Sequence, residues 1–119
     1  AVRNLLFCRE KPTTVILSHK LLQISLAENL PAQDGTIGVR IPKFAFCQAL
    51  LAGLGHPIVS TSANLSGKPS PSKYEDIEEE IRQRVDFALP NDASFMHPDV
   101  GSSMIVKMSE DGAMQVLRR

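Results

Sequence analysis

The strongest constraint on the fold lies near the C-terminal end of the chain. Ser103–Met108 and Met114–Arg118 are two apolar-rich runs of strand length, separated by Ser109-Glu110-Asp111-Gly112. A short Asp-Gly connection of that kind joins neighbouring antiparallel strands. Upstream, strand-like and helix-like segments alternate instead. Thr13–Leu17 (TTVIL), entered through Lys11-Pro12, has the β-branched richness of a buried strand. Thr36–Ile41 (TIGVRI) is a second, with Ile37, Val39 and Ile41 on one face and Thr36, Gly38 and Arg40 on the other, and Pro42 closes it. Alternation followed by a terminal hairpin predicts an α/β fold with a mixed sheet.

The remaining segments fill in that outline. Ala1–Arg9 reads as the tail of an amphipathic helix, and Leu21–Leu30 as a short helix before a turn at Pro31–Gly35. Lys43–Leu54 is a helix by the spacing of Phe46, Cys47, Leu50, Leu51 and Leu54, with Gly55 as its stop. Pro57–Thr61 is expected to be a strand. Ser72 and Glu75 form a capping box for a helix over Lys73–Arg84, with acids near its start and Arg82 and Arg84 near its end, as the helix dipole favours. That acidic cluster reads as a solvated helix face, not a metal site. Val85–Leu89 reads as a short strand, and Pro90–Gly101 as a loop. One domain of 119 residues accommodates all of this, with no internal repeat.

Composition removes several function classes. Thirteen basic and thirteen acidic residues cancel, so net charge does not point to a nucleic-acid binder. Cys8 and Cys47 lie far apart in apolar surroundings and read as free thiols of a reducing compartment. His19, His56 and His97 are scattered, which supports neither a zinc site nor a triad. No apolar run approaches the ~20 residues of a membrane span. A soluble, cytoplasmic protein is expected.

Polar chemistry is densest in Pro57–Pro71 (PIVSTSANLSGKPSP). A strand running into a hydroxyl-rich loop is where open α/β sheets place ligand-binding groups. Ser62 and Asn64 offer a hydroxyl and an amide, and backbone N–H groups near Ala63 and Gly67 suit an anion nest. The same residue types also build turns for their own backbone's sake. Arg40 stands likewise between two readings: a fork for a carboxylate or phosphate, or a surface cation paired with an acid. No strong nucleophile or adjacent base accompanies Ser62, so a phosphate or adenylate cradle fits better than a hydrolase centre.

Taken together, TIGVRIP and, after Lys43–Val59, STSANLSGKPSP resemble the C-terminal half of the YrdC/Sua5 (TsaC) family. The KPTTVIL strand is similar to that family's P-G-P-x-T-x-I-L, and the hairpin ending in Leu117-Arg118 agrees. The resemblance implies a twisted mixed α/β sheet with flanking helices and a basic concave face. It also implies threonylcarbamoyl-adenylate synthesis from L-threonine, bicarbonate and ATP, with pyrophosphate released. The product then passes to a tRNA-modifying transferase complex. On this resemblance Arg40 holds the threonine carboxylate and Ser60 lines the same pocket. Thr36, Ser62, Ser70 and Arg118 contact ATP, and Asn64 completes a catalytic S-x-N pair with Ser62. ATP enters as a substrate with magnesium, and no tightly bound cofactor or protein-held metal is implied.

Three departures accompany the resemblance. The basic K-x-R motif of the family's N-terminal half is absent from these 119 residues, Lys11 replaces the glycine of P-G-P, and Ser103-Met104 stands where the family has Ser-Thr. The first departure implies a partial domain that is inactive alone. Two rival readings follow: a double-stranded RNA or tRNA-binding module, and a YciO-like paralogue acting on another substrate.

Overall fold

A computed structural model describes residues 12–92 and 103–118. They divide into two compact units, one built from residues 12–43 and 103–118 and the other from residues 44–92.

The first unit is a four-stranded sheet of β1 (Thr13–Ser18), β2 (Thr36–Arg40), β3 (Met104–Met108) and β4 (Met114–Arg118), in the order β2-β1-β3-β4. β1 pairs antiparallel with β2 and parallel with β3, and β3 pairs antiparallel with β4. The mixed sheet expected from the alternation and the hairpin is therefore present. Alternation along β1 sends Thr13, Val15 and Leu17 to one face, where all three are buried. The registers Val15↔Val39, Val15↔Val106 and Val106↔Val116 set four valines in one row across all four strands. Val15 and Val106 are 0% and 2% exposed at the centre of that row, whereas Val116, on the edge strand, is 47% exposed. Leu22, Ile37, Val39, Ile41 and Met108 pack against the Val15–Leu17 cluster. Burying a side chain of this size stabilises by about 1.5–3 kcal/mol, so this row is the main anchor of the sheet.

The turn between β3 and β4 follows its residue chemistry. Asp111 accepts the Ala113 N–H at 3.0 Å, and the Ser109 N–H reaches the Ala113 carbonyl at 2.9 Å. Gly112 sits at φ +87°, which a side chain would make strained.

Between β1 and β2 the expected helix over Leu21–Leu30 is not formed. A single 3₁₀ turn, His19–Leu21, is followed by extended and turning chain. The reason is closure: β1 and β2 are antiparallel neighbours, and the His19 N–H binds the Gly35 carbonyl at 3.0 Å, pinning the two ends of the connection together. Turns at Ala27–Leu30 and Ala32–Gly35 bring the chain back instead.

The second unit holds two helices, α1 (Ala45–Leu54) and α2 (Glu79–Arg84). α1 starts two residues later than its apolar spacing suggests, with Phe44 extended before it, and ends where Gly55 turns into the left-handed region and donates to the Leu51 carbonyl. Three further expectations are corrected. Pro57–Thr61 forms no strand among the described residues, and Ile58 and Val59 are exposed. The capping-box helix over Lys73–Arg84 is broken: Tyr74–Asp76 is a 3₁₀ turn, Ile77 is extended, and α2 begins only after Glu78. Glu75 does not close the box, because its carboxylate takes the Asn91 amide at 2.8 Å. Val85–Leu89 also forms no ladder among the described residues, and Phe87 is 78% exposed. β-branched and aromatic residues favour a strand only where a neighbouring strand supplies the ladder.

The acids of α2 are paired along the helix surface, Glu79 with Arg82 and Glu80 with Arg84. Cys47 is a half-buried free thiol. Ala1–Arg9, with Cys8, and most of Pro90–Gly101, with His97, lie outside the described residues. No helix among the described residues is long and apolar enough to cross a membrane.

Candidate functional site

The sheet face opposite the valine row carries the polar strand residues other than Thr13. Alternation places Thr14, Arg40, Ile105 and Lys107 there, and the registers Thr14↔Arg40, Thr14↔Ile105 and Ile105↔Arg118 align them across the strands. An irregularity in the β3–β4 pairing between Ile105 and Val106 makes room for Leu117, so that Arg118 falls opposite Ile105 while Val116 stays opposite Val106. Two arginines thus end one row, with a threonine inside it. The row crosses three strand spacings of about 4.8 Å, so the arginine backbones stand about 14 Å apart.

Each end of the row is held differently. Arg118 is anchored: Nε and Nη2 both donate to the Ser103 carbonyl, at 3.0 and 2.9 Å, and Nη2 lies 3.4 Å from the Ser103 hydroxyl. Ser103 Oγ is in turn 3.5 Å from Thr14 Oγ1. These contacts leave Nη1 and its two N–H groups for a ligand. Arg40 is exposed, and no described residue engages its guanidinium. One row away on β2, opposite Ile16, Gly38 allows the strand to sit close: a Cβ there would meet Thr14 Cγ2 at 3.3 Å.

Thr36 lies at the far end of β2 on the same face. Its hydroxyl donates to Asp34 Oδ1 at 2.6 Å, and its N–H donates to the same oxygen at 3.1 Å. Lys107 Nζ lies 3.7 Å from Asp34 Oδ2. The Thr36 hydroxyl, then its N–H, then Lys107 hold the Asp34 carboxyl below the ordinary carboxylate range. Thr36 therefore keeps its oxygen lone pairs for a ligand but spends its proton on Asp34.

In the second unit, a cavity of about 300 Å³ opens beside the serine-rich loop, and Asn64, Lys68, Ser70, Ser72, Asp76 and Glu78 line it. Asn64 shapes the loop, with Nδ2 donating to the carbonyls of Leu65 and Lys68, each at 3.0 Å. Gly67 turns the chain between them at φ +80°. Lys68 is paired with Glu78, which occupies the N-cap position of α2, at 3.2 Å. Of the residues expected to act in this unit, Asn64 and Ser70 share the cavity, whereas Ser60 and Ser62 are exposed and do not line it.

Sequence reasoning missed Thr14 and Ser103 in the first unit and the Lys68–Glu78 pair in the second. The alternation of TTVIL does place Thr14 opposite Val15. Its neighbours follow only from strand register, which no local pattern encodes.

Comparison with known proteins places these features in context. The Sua5/YciO/YrdC family profile, which carries the description "Telomere recombination", matches residues 3–119. A threonylcarbamoyl-AMP synthase of Bacillus subtilis (strain 168) is 38% identical over 61 residues, covering 51% of this chain and 18% of the relative. A protein of Methanocaldococcus jannaschii, whose name assigns it the same activity provisionally, is 30% identical over 106 residues, 88% of this chain and 45% of its own length. The uncharacterized protein YciO of Escherichia coli (strain K12) is 40% identical over 55 residues, 45% of this chain and 27% of its own. The chain thus spans less than half the length of these relatives. No solved structure gave a significant match.

Proposed function

The chain belongs to the Sua5/YciO/YrdC family, and from that membership we propose that it supplies part of the substrate site of a threonylcarbamoyl-AMP synthase. The reaction joins L-threonine, bicarbonate and ATP into threonylcarbamoyl-adenylate with release of pyrophosphate, for use in tRNA modification. The observation that carries this reading is the Arg40–Thr14–Ile105–Arg118 row. Arg40, exposed and unengaged by the described residues, suits a planar carboxylate, which a guanidinium binds through two parallel N–H···O bonds. Arg118, preoriented by Ser103, suits the phosphates of ATP brought in with magnesium. Fixed donors of this kind stabilise charge that develops on the phosphates as the carbamate oxygen attacks, without reorganising at that moment. By family membership, Ser60, Ser62, Asn64 and Ser70 of the loop unit and Thr36 of the sheet unit are each proposed as further substrate contacts.

These 119 residues form one part of the family's domain on this reading, because they lack the basic K-x-R motif and match less than half of the relatives' length. The chain alone is expected to bind substrate without turnover. A chimaera in which it replaces the matched region of the M. jannaschii relative should form threonylcarbamoyl-adenylate, detected by mass spectrometry together with pyrophosphate. Turnover by the 119 residues alone would overturn the partial-site assignment. A folded chimaera that binds ATP but makes no product would overturn the synthase assignment.

The match to YciO supports a second reading, a paralogue with another acceptor. Pyrophosphate release that depends on neither threonine nor bicarbonate would favour it.

A further inference from the structure

Three donors converge on one carboxylate at the end of the polar sheet face. Asp34 Oδ1 takes the Thr36 hydroxyl at 2.6 Å and the Thr36 N–H at 3.1 Å, and Oδ2 lies 3.7 Å from Lys107 Nζ. A hydroxyl, a backbone N–H and an ammonium gathered around one anion make an anion seat, and the chain's own carboxylate sits in it. The donors come from opposite sides of β1. Thr36 opens β2, whereas Lys107 stands on β3 in a row with Ile16 and Gly38. Gly38 puts no side chain at the β2 end of that row, and the lysine reaches across β1 to Asp34. Lys107 is also a neighbour of Arg118, about 7 Å along the strands and one strand spacing, about 4.8 Å, across them. The Asp34–Lys107 pair is loose. Its side chains are 57% and 44% exposed, and ion pairs in that setting hold weakly.

From this arrangement we infer that Lys107 is a further phosphate contact of the ATP site, and that Asp34 holds the phosphate's place on Thr36 and Lys107 until ATP displaces it. ATP comes from the synthase reading, on which this depends; neither Lys107 nor Asp34 has a role there. The displacement follows from counting protons. An ionised phosphate oxygen has none to give, so Thr36 can meet one only by donating its O–H or N–H, and both are on Asp34 while that carboxylate stays. A phosphate beside Asp34 would also meet a like charge. Moving Asp34 aside removes that repulsion and frees three donors at once. Lysine suits the group, because its compact charge carries rotatable N–H donors, whereas the planar fork of Arg40 suits a carboxylate. Lys107 and Arg118 then hold phosphates of one triphosphate.

The test is isothermal titration calorimetry on the 119-residue chain, with Asp34→Asn, Lys107→Met and the double variant beside it. ATP, inorganic tripolyphosphate, adenosine and L-threonine are titrated separately. Asparagine keeps an acceptor for the Thr36 N–H, so Asp34→Asn removes charge and spares the turn. It should tighten ATP and tripolyphosphate about threefold, a direction that misfolding cannot mimic, and leave adenosine unchanged. Lys107→Met should weaken both polyphosphates about tenfold, in the Asp34→Asn background as well. An Asp34→Asn chain that binds ATP no better, or more weakly, would overturn the inference, because Asp34 would then orient Thr36 and not compete with phosphate. So would a Lys107→Met effect that vanishes once Asp34 is neutralised, which would leave the lysine only as Asp34's partner. Adenosine binding as tightly as ATP, with none of tripolyphosphate, would overturn it while leaving the synthase reading in place. No binding of ATP or L-threonine by the chain or any variant would overturn both.

Discussion

The sheet unit and the loop unit use similar residues to different ends. Thr13–Ser18 and Pro57–Thr61 both contain β-branched runs, yet the first is the most buried strand among the described residues and the second is exposed and forms no strand there. β1 has a partner on each side, so its alternate residues are covered and its backbone groups are paired. Within the described residues, Pro57–Thr61 has neither partner. Among residues 44–92, no side chain is fully buried, whereas the sheet unit buries Val15, Leu17, Met104 and Val106. Strand propensity is thus an offer that register takes up or leaves. The polar chemistry divides along the same line. The sheet presents cations at positions set by alternation, and the loop presents oxygen atoms at positions set by side-chain-to-backbone hydrogen bonds.

That contrast is open to direct attack. Leu17→Ala should lower unfolding stability by about 2–5 kcal/mol, read from the urea midpoint, because it empties a packed position. Val59→Ala should change it by no more than about 0.5 kcal/mol. A loss at Val59 as large as that at Leu17 would mean that the loop unit shares the sheet's cooperative core. Asn64→Ala should act locally: about 1–2 kcal/mol of loop stability lost with its two hydrogen bonds, seen as roughly tenfold faster exchange of the Lys68 amide with little change in the sheet. Gly38→Ala should cost about 0.5–1 kcal/mol, since Thr14 must yield by a few tenths of an ångström. A neutral result would show that β2 shifts freely at the edge.

The smallest expected effect is electrostatic. Asp34 has its folded pKa depressed, first by the Thr36 hydroxyl. Its contribution to stability is therefore present above the unfolded carboxylate value of about 3.9 and is lost as pH falls through the lower folded value. An NMR titration of the Asp34 carboxyl carbon should place its midpoint below the ordinary range, and Thr36→Val should raise it. An unchanged midpoint in that variant would remove the Thr36–Asp34 contact from the account.

The strands of the sheet unit were legible because each carries its own period: Ile37 and Val39 on β2, with Ile41 just beyond its end, and Val15 and Leu17 on β1, all of which pack into one cluster. The Asp-Gly turn announced the hairpin in the same local way. Failures came where a long-range partner decided the outcome. Glu75 reads as a capping residue until Asn91 takes its carboxylate. Leu21–Leu30 reads as a helix until the His19–Gly35 bond closes the connection. The candidate sites follow the same rule. Arg40 and Asn64 stood out by residue type and context, whereas Thr14, Ser103 and Glu78 matter through neighbours distant in sequence.

The most direct measurement for the central claim, that the sheet row reads the anions of the substrates, is the threonine and ATP dependence of the chimaeric enzyme with Arg40 replaced. Arg40→Ala should raise the KM for L-threonine at least tenfold and leave the KM for ATP near its starting value, since losing a charge-assisted hydrogen bond costs about 1.5–3 kcal/mol. Arg118→Ala should do the reverse. An Arg40→Ala enzyme with an unchanged threonine KM would contradict the account.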